Sequence, residues 1–220
     1  MLPDEVERLS VVAPLADGSL VHLRPIRPSD APLLAEGFTR LSPESRFLRF
    51  FSPLDHLSEA QLRYFTEIDY VDHFAWVATV ATPDDPALGV GVARYIRSRD
   101  DLSAAEAAVA VADDHHRLGI GTVLLESLAA VALTRGIARF HLLVRSDNHA
   151  MTAAMETLGA ATAPNDDASV IRFVLDLPPL IEQLRDTPMW SVFRLVGAGE
   201  TELASSVGLR VRNDPTTGPA

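Results

Sequence analysis

The chain has 220 residues, 47% apolar and 22% charged, with 19 arginines, no lysine, no cysteine and a formal net charge of −11. That length allows one well-packed domain rather than two large ones. The lack of cysteine excludes disulfides, thiolate metal sites and a cysteine nucleophile, the acidic balance argues against nucleic acid as a partner, and no run approaches the ~18 apolar residues of a membrane helix.

In chain order, residues 1–17 read as a polar N-terminal leader with Pro3 and Pro14. Its acidic Asp4, Glu5 and Glu7 are wrong for a secretory signal, so a cytoplasmic location is expected. Asp17-Gly18 is a turn signal, and residues 20–26 read as a first strand. Ser29-Asp30 predicts the cap of a helix to about residue 41. Pro43 predicts the first turn of a short helix to residue 51, and Ser58 with Gln61 a capping box for a helix to about residue 68. Residues 74–81, 88–97 and 104–112 read as strands separated by turns. A helix over 121–135 stops at Gly136, a strand follows at 139–145, a helix at 148–158 stops at Gly159, and a last strand covers 169–177. Pro178-Pro179 marks a boundary. Beyond it residues 180–195, with Trp190, have helical periodicity, so the extension 178–220 is expected to carry a helical appendage.

The most informative stretch is the junction between the third of those strands and the long helix, Asp114-His-His-Arg-Leu-Gly-Ile-Gly-Thr122. A strand, a short glycine-bearing loop and a helix N-terminus form an anion cradle. The first amides of the helix have no internal partner, the helix dipole favours negative charge there, and the glycines let a phosphate approach the backbone. Neither GxxxxGK[ST] nor GxGxxG is present. The adjacent His115 and His116 invite a metal reading, but neighbouring side chains point apart and no carboxylate motif frames them, so no metal is expected.

The spacing His116-Arg117-Leu118-Gly119-Ile120-Gly121 resembles the Q/R-x-x-G-x-G/A loop of the GCN5-related N-acetyltransferases, the GNAT family, which grips the pyrophosphate of acetyl-CoA. The order of elements over about residues 18–177 is also similar to that family. The nearest likeness is to bacterial protein lysine acetyltransferases. It is carried by Leu41-Ser-Pro-Glu-Ser-Arg-Phe-Leu-Arg-Phe-Phe51, Gly91-Val-Ala-Arg94, Ala105-Glu-Ala-Ala-Val-Ala-Val-Ala-Asp113 and Asn148-His-Ala-Met151. The resemblance implies an α/β GNAT fold with a mixed, mostly antiparallel central sheet flanked by helices. It also implies acetyl transfer from acetyl-CoA to a primary amine, a protein lysine before a small-molecule amine. A non-catalytic acyl-CoA-binding or sensing module stays open, and so does a homodimer.

Glu106 is the ionisable side chain in an otherwise Ala/Val strand. Such a run predicts burial on both faces and a raised pKa, which suits a general base, against a strand glutamate at an exposed edge, and the resemblance gives a glutamate at this place the role of base. It also implies that the backbone of Val109, Ala110 and Val111 holds the pantetheine arm and polarises the thioester. Arg117, Leu118, Gly119, Ile120, Gly121 and Thr122 are expected on the pyrophosphate. Asn148, otherwise a helix cap, and Met151 are expected against the cofactor, with His149 nearby. Met155 stands where many relatives have a proton-donating tyrosine, and methionine predicts packing instead. His73 and Tyr70 are candidates for the acceptor side, against an ordinary structural role. Arg46 and Arg49 have the spacing of one helix face and could pair with Glu44 or with CoA; packing and surface pairing are expected.

Overall fold

The computed structural model describes Val6 and residues 9–177. The predicted appendage over 180–195 lies outside the described residues. Among the described residues, eight strands form one sheet in the order β1-β2-β3-β4-β5-β6-β8-β7. They are β1 (Val11–Pro14), β2 (Leu20–Pro25), β3 (His73–Val80), β4 (Leu88–Arg97), β5 (Ala104–Val111), β6 (Arg139–Arg145), β7 (Ala161–Ala163) and β8 (Val170–Asp176). Every neighbouring pair is antiparallel except β5 with β6. The one parallel pair follows from a crossover helix, as parallel neighbours require. The segment read as a leader contributes the edge strand β1. Val11 and Ala13 alternate inward there at 2% and 1% exposure, so β1 belongs to the core.

The helices are α1 (Ala31–Thr39), α2 (Pro43–Phe50), α3 (Glu59–Thr66), α4 (Ile120–Thr134) and α5 (His149–Thr157). Their starts follow local chemistry. Ser42 Oγ accepts from the Ser45 amide, with Pro43 in the first turn of α2. Ser58 and Gln61 form the predicted capping box of α3, at 3.2 and 2.8 Å. Asp30 is a correction: its carboxylate does not cap α1. It takes two bonds from Arg24, at 2.6 and 2.8 Å, and one from the Arg27 amide. Gly136 and Gly159 both end helices at positive φ, 76° and 74°.

The two faces of the sheet are covered differently. Phe74, Tyr95 and Ala107 stand in register, and so do Trp76, Ala93 and Val109. This face packs on α4 through Ile120, Leu124 and Leu128, with the Phe74 and Tyr95 rings stacked at 6.0 Å. Gly91 permits the approach: a Cβ there would sit 2.9 Å from Leu124 Cδ1. The opposite face, with Val77, Val92, Arg94 and Ala110, lies under α1, α2 and α3. A bulge at the start of β4, opposite Ala78 and Thr79, turns Gly89 towards Leu33 of α1.

Candidate active site

The sheet opens at β5. Ala104, Ala105 and Glu106 pair with Arg139, Phe140 and His141 of β6, and the pairing stops there. β5 stays with β4 as far as Val111, while β6 stays with β8 along its whole length. The two strands therefore diverge, and one edge of Ala107–Val111 is left without a ladder to β6. Val109, Ala110 and Val111 are partly buried along this wedge. The side chains of Val109 and Val111 pack on the core, and Ala110 faces the α1–α3 side. What these residues present to the wedge is backbone, an edge that an amide-bearing chain can join as an added strand.

The cradle stands at the end of the same strand. Gly119, at φ 92°, is the N-cap of α4 and brings no side-chain cap to the first turn. The amides of Ile120, Gly121 and Thr122 therefore open the helix as donors for an external acceptor. Arg117 is exposed, with a left-handed backbone at φ 64°. A Cβ on Gly121 would meet only Val111 Cγ2, at 3.7 Å.

The loop is held from three sides. The Ala16 amide donates to the Leu118 carbonyl at 3.1 Å. His116 Nε2 lies 3.0 Å from the Val111 carbonyl, and His115 Nδ1 2.7 Å from Asp114. Asp113 accepts from the Ser42 amide and the Ser45 hydroxyl, at 2.7 and 2.6 Å, and Arg40 bonds Asp114. Desolvation alone would raise the Asp113 pKa, and the serine hydrogen bonds outweigh it to give a net fall. The two histidines thus brace the loop. Among the described residues no group of three or more His, Cys, Asp or Glu is placed to hold a metal.

Glu106 corrects a sequence expectation: it is exposed, not buried. Ala104, Ala105 and Ala107 around it are buried, but Glu106 shares its face with Ile96 and His141, where the cover of α1–α3 has ended. Its position still matters, because it is the last β5 residue paired with β6, at the apex of the wedge.

Two arginines that sequence reasoning did not assign to the site flank this apex. Arg94 pairs with Ala108, one step along the face from Glu106, and is 5% exposed. Its guanidinium lies over the Phe65 ring at 4.4 Å, donates to the Phe65 carbonyl at 3.4 Å and bonds His73 Nε2 at 3.0 Å. Burial first, and Arg49 second, pull its pKa down to about 9, still cationic at neutral pH. Arg49 lies over the Phe50 ring, and its pKa is lowered by burial against an opposing pull from Glu106. Both arginines line a cavity of about 80 Å³ between α1–α3 and β4–β5, otherwise walled mainly by Leu, Phe and Val.

Other candidates have structural partners. Asn148 Oδ1 caps α5 by accepting from the Met151 amide at 3.1 Å, and Met151 packs on the core. Met155 is 1% exposed, a packing residue as methionine implied. The Tyr70 hydroxyl donates to the Ile26 carbonyl at 3.0 Å. Arg46 closes the end of α1 by donating to the Phe38 and Thr39 carbonyls.

Comparison with known proteins is consistent with this geometry. The acetyltransferase (GNAT) domain family matches residues 21–161. Acetyltransferase Pat of Mycolicibacterium smegmatis is 36% identical over 180 residues, 77% of this chain and 52% of Pat, so the chain spans about half the length of that relative. Acetyltransferase PA5475 of Pseudomonas aeruginosa is 33% identical over 162 residues, 73% of this chain and 86% of that protein. The crystal structure of the GNAT domain of S. lividans PAT superposes with a TM-score of 0.71 at 30% identity, covering 80% of this chain and 99% of that one.

Proposed function

Because the chain belongs to the GNAT acetyltransferase family, we propose that it transfers the acetyl group of acetyl-CoA to a primary amine, with a protein lysine as the preferred acceptor. The observation that carries this reading is the continuity of the open β5 edge with the cradle. From Glu106 to Val111 an extended strand covers on the order of 17 Å, the scale of a pantetheine arm between its thioester and its pyrophosphate. Acetyl-CoA would place its pyrophosphate on the amides of Ile120, Gly121 and Thr122, with Arg117 adding a charge-assisted contact. Its arm would run along Val109, Ala110 and Val111.

The amine then approaches the apex from the α2–α3 side. Glu106, open to solvent there, takes the ammonium proton directly or through a water. The amine nitrogen attacks the thioester carbonyl, strand amides near Val109 stabilise the oxyanion, the C–S bond breaks, CoA leaves as thiolate, and the second proton of the attacking nitrogen passes to water as the amide forms. Met155 has no proton to give, so the thiolate is protonated from solvent. The acceptor class rests on the likeness of the 41–51 segment to protein lysine acetyltransferases and on the acidic charge of the chain.

The test is acetyl-CoA turnover against a panel of lysine-bearing proteins and small amines, with product mass read in parallel. Acetylated protein lysine supports the proposal. Acetylation of small amines alone would move the acceptor class. Tight acyl-CoA binding with no transfer to any acceptor would favour a sensing module.

A further inference from the structure

The cavity beside the apex contains more positive charge than acetyl transfer needs. Arg49 and Arg94 both line it. No salt bridge joins either of them to a carboxylate among the described residues. Asp30 also lines the cavity, but Arg24 already holds both of its oxygens. Arg94 is 5% exposed, and its hydrogen bonds go to a neutral imidazole and a backbone carbonyl. Arg49 has a ring contact and the long-range pull of exposed Glu106. Two like charges sharing an apolar chamber repel each other and are costly to desolvate. An anion between them relieves both costs, and a planar guanidinium is suited to a carboxylate.

We propose that Arg49 and Arg94 form a carboxylate-binding subsite beside the thioester, so that this transferase also takes, besides acetyl-CoA and a protein lysine, a substrate carrying a carboxylate a few bonds from the reacting carbon. The inference rests on the acyl-transfer reading above. The carboxylate has two sources: the far end of a dicarboxylic acyl group on CoA, of succinyl type, or the carboxylate of an acceptor amino acid. In both cases it is a spectator. The amine nitrogen bonds the thioester carbon, the C–S bond breaks, the amine proton goes to Glu106 or water, and CoA leaves. The cavity of about 80 Å³ has several times the space one water needs, enough for a short acyl chain. Its Leu, Phe and Val walls suit the methylenes, and the guanidiniums suit the terminal charge.

The test compares binding of acetyl-, butyryl- and succinyl-CoA to the wild type and to Arg49→Leu and Arg49→Lys by calorimetry, with far-UV circular dichroism as the folding check. A second arm compares transfer from acetyl-CoA to an amino acid with transfer to its amide. Arg49 is the residue varied because loss of the more deeply buried Arg94 is liable to unfold the chain. If the donor supplies the carboxylate, succinyl-CoA binds roughly tenfold tighter than butyryl-CoA. Arg49→Leu then removes that ratio, and Arg49→Lys restores part of it. If the acceptor supplies it, the donors bind alike, the amino acid outcompetes its amide by a similar factor, and the same variants remove and restore that preference. Acetyl-CoA binding with neither preference overturns the subsite. Failure of acetyl-CoA itself to bind contradicts the transferase reading beneath it.

Discussion

Nε2 of His73 lies 3.0 Å from a guanidinium nitrogen of Arg94, and the bond selects the tautomer of the imidazole. Arginine can only donate. The imidazole must therefore accept at Nε2 and carry its proton on Nδ1. His73 thus orients the buried arginine at the cavity wall and has no free lone pair at Nε2 with which to act as a base.

The histidine should titrate far below its usual range. Burial first, and the positive charge of Arg94 second, bring its pKa from 6.5 down to about 4. Between those values the unfolded chain binds a proton that the folded chain refuses, so stability falls as pH drops from about 6.5 towards 4. Discounted for the partial exposure of the ring, the loss is on the order of 1–2 kcal/mol. Imidazole NMR of the wild type against His73→Gln checks this. A His73 midpoint near 6.5 would contradict the contact.

Glu126 should act in the opposite direction. It lies on α4 at 8% exposure, and burial raises its pKa from 4.5 to about 7. The folded chain holds the proton that the unfolded chain has lost, so this contribution is complete below about 4.5 and disappears as pH rises through 7. Glu126→Gln should therefore gain on the order of 1–2 kcal/mol at pH 8 and nothing at pH 4. Denaturant unfolding at the two pH values measures the difference, and an equal effect at both would refute the assignment.

Gly119 and Gly121 should separate stability from binding. Gly119 has φ 92°, so Gly119→Ala strains the N-cap of α4 and costs about 1–2 kcal/mol. A Cβ at Gly121 meets nothing closer than 3.7 Å, so Gly121→Ala should leave the melting temperature nearly unchanged. It should still weaken CoA binding roughly tenfold or more if phosphate approaches that amide closely. Thermal melts and CoA titration on both variants give the answer, and unchanged affinity in Gly121→Ala would move the phosphate elsewhere.

The legible parts of this chain are those with local causes. Ser58 with Gln61, Ser42 with Pro43, and Gly136 after a periodic run each act within one turn, and each is found where the pattern predicts it. The strand, loop and helix start around residues 111–122 are legible for the same reason. The short edge strands β1 and β7 are not, because four and three residues carry too little periodicity to separate from loop. Glu106 was misread because an apolar run implies cover on both faces, whereas its exposure follows from where α1–α3 end and where β6 departs. Arg94 was visible as part of a family-like word, but its place in the cavity depends on register with Ala108 and on the approach of Phe65 from α3. Those relationships are set by tertiary packing.

The most direct test of the account is acceptor-dependent thiol release from acetyl-CoA by the wild type and by Glu106→Gln, with acetyl-CoA affinity measured on both. Glu106 sits at the apex of the wedge and is assigned to proton removal, while the cradle and the β5 backbone are assigned to binding. In the variant, affinity should stay within about twofold of wild type while transfer falls by roughly 10²-fold or more. Wild-type turnover that survives Glu106→Gln undiminished would contradict the account.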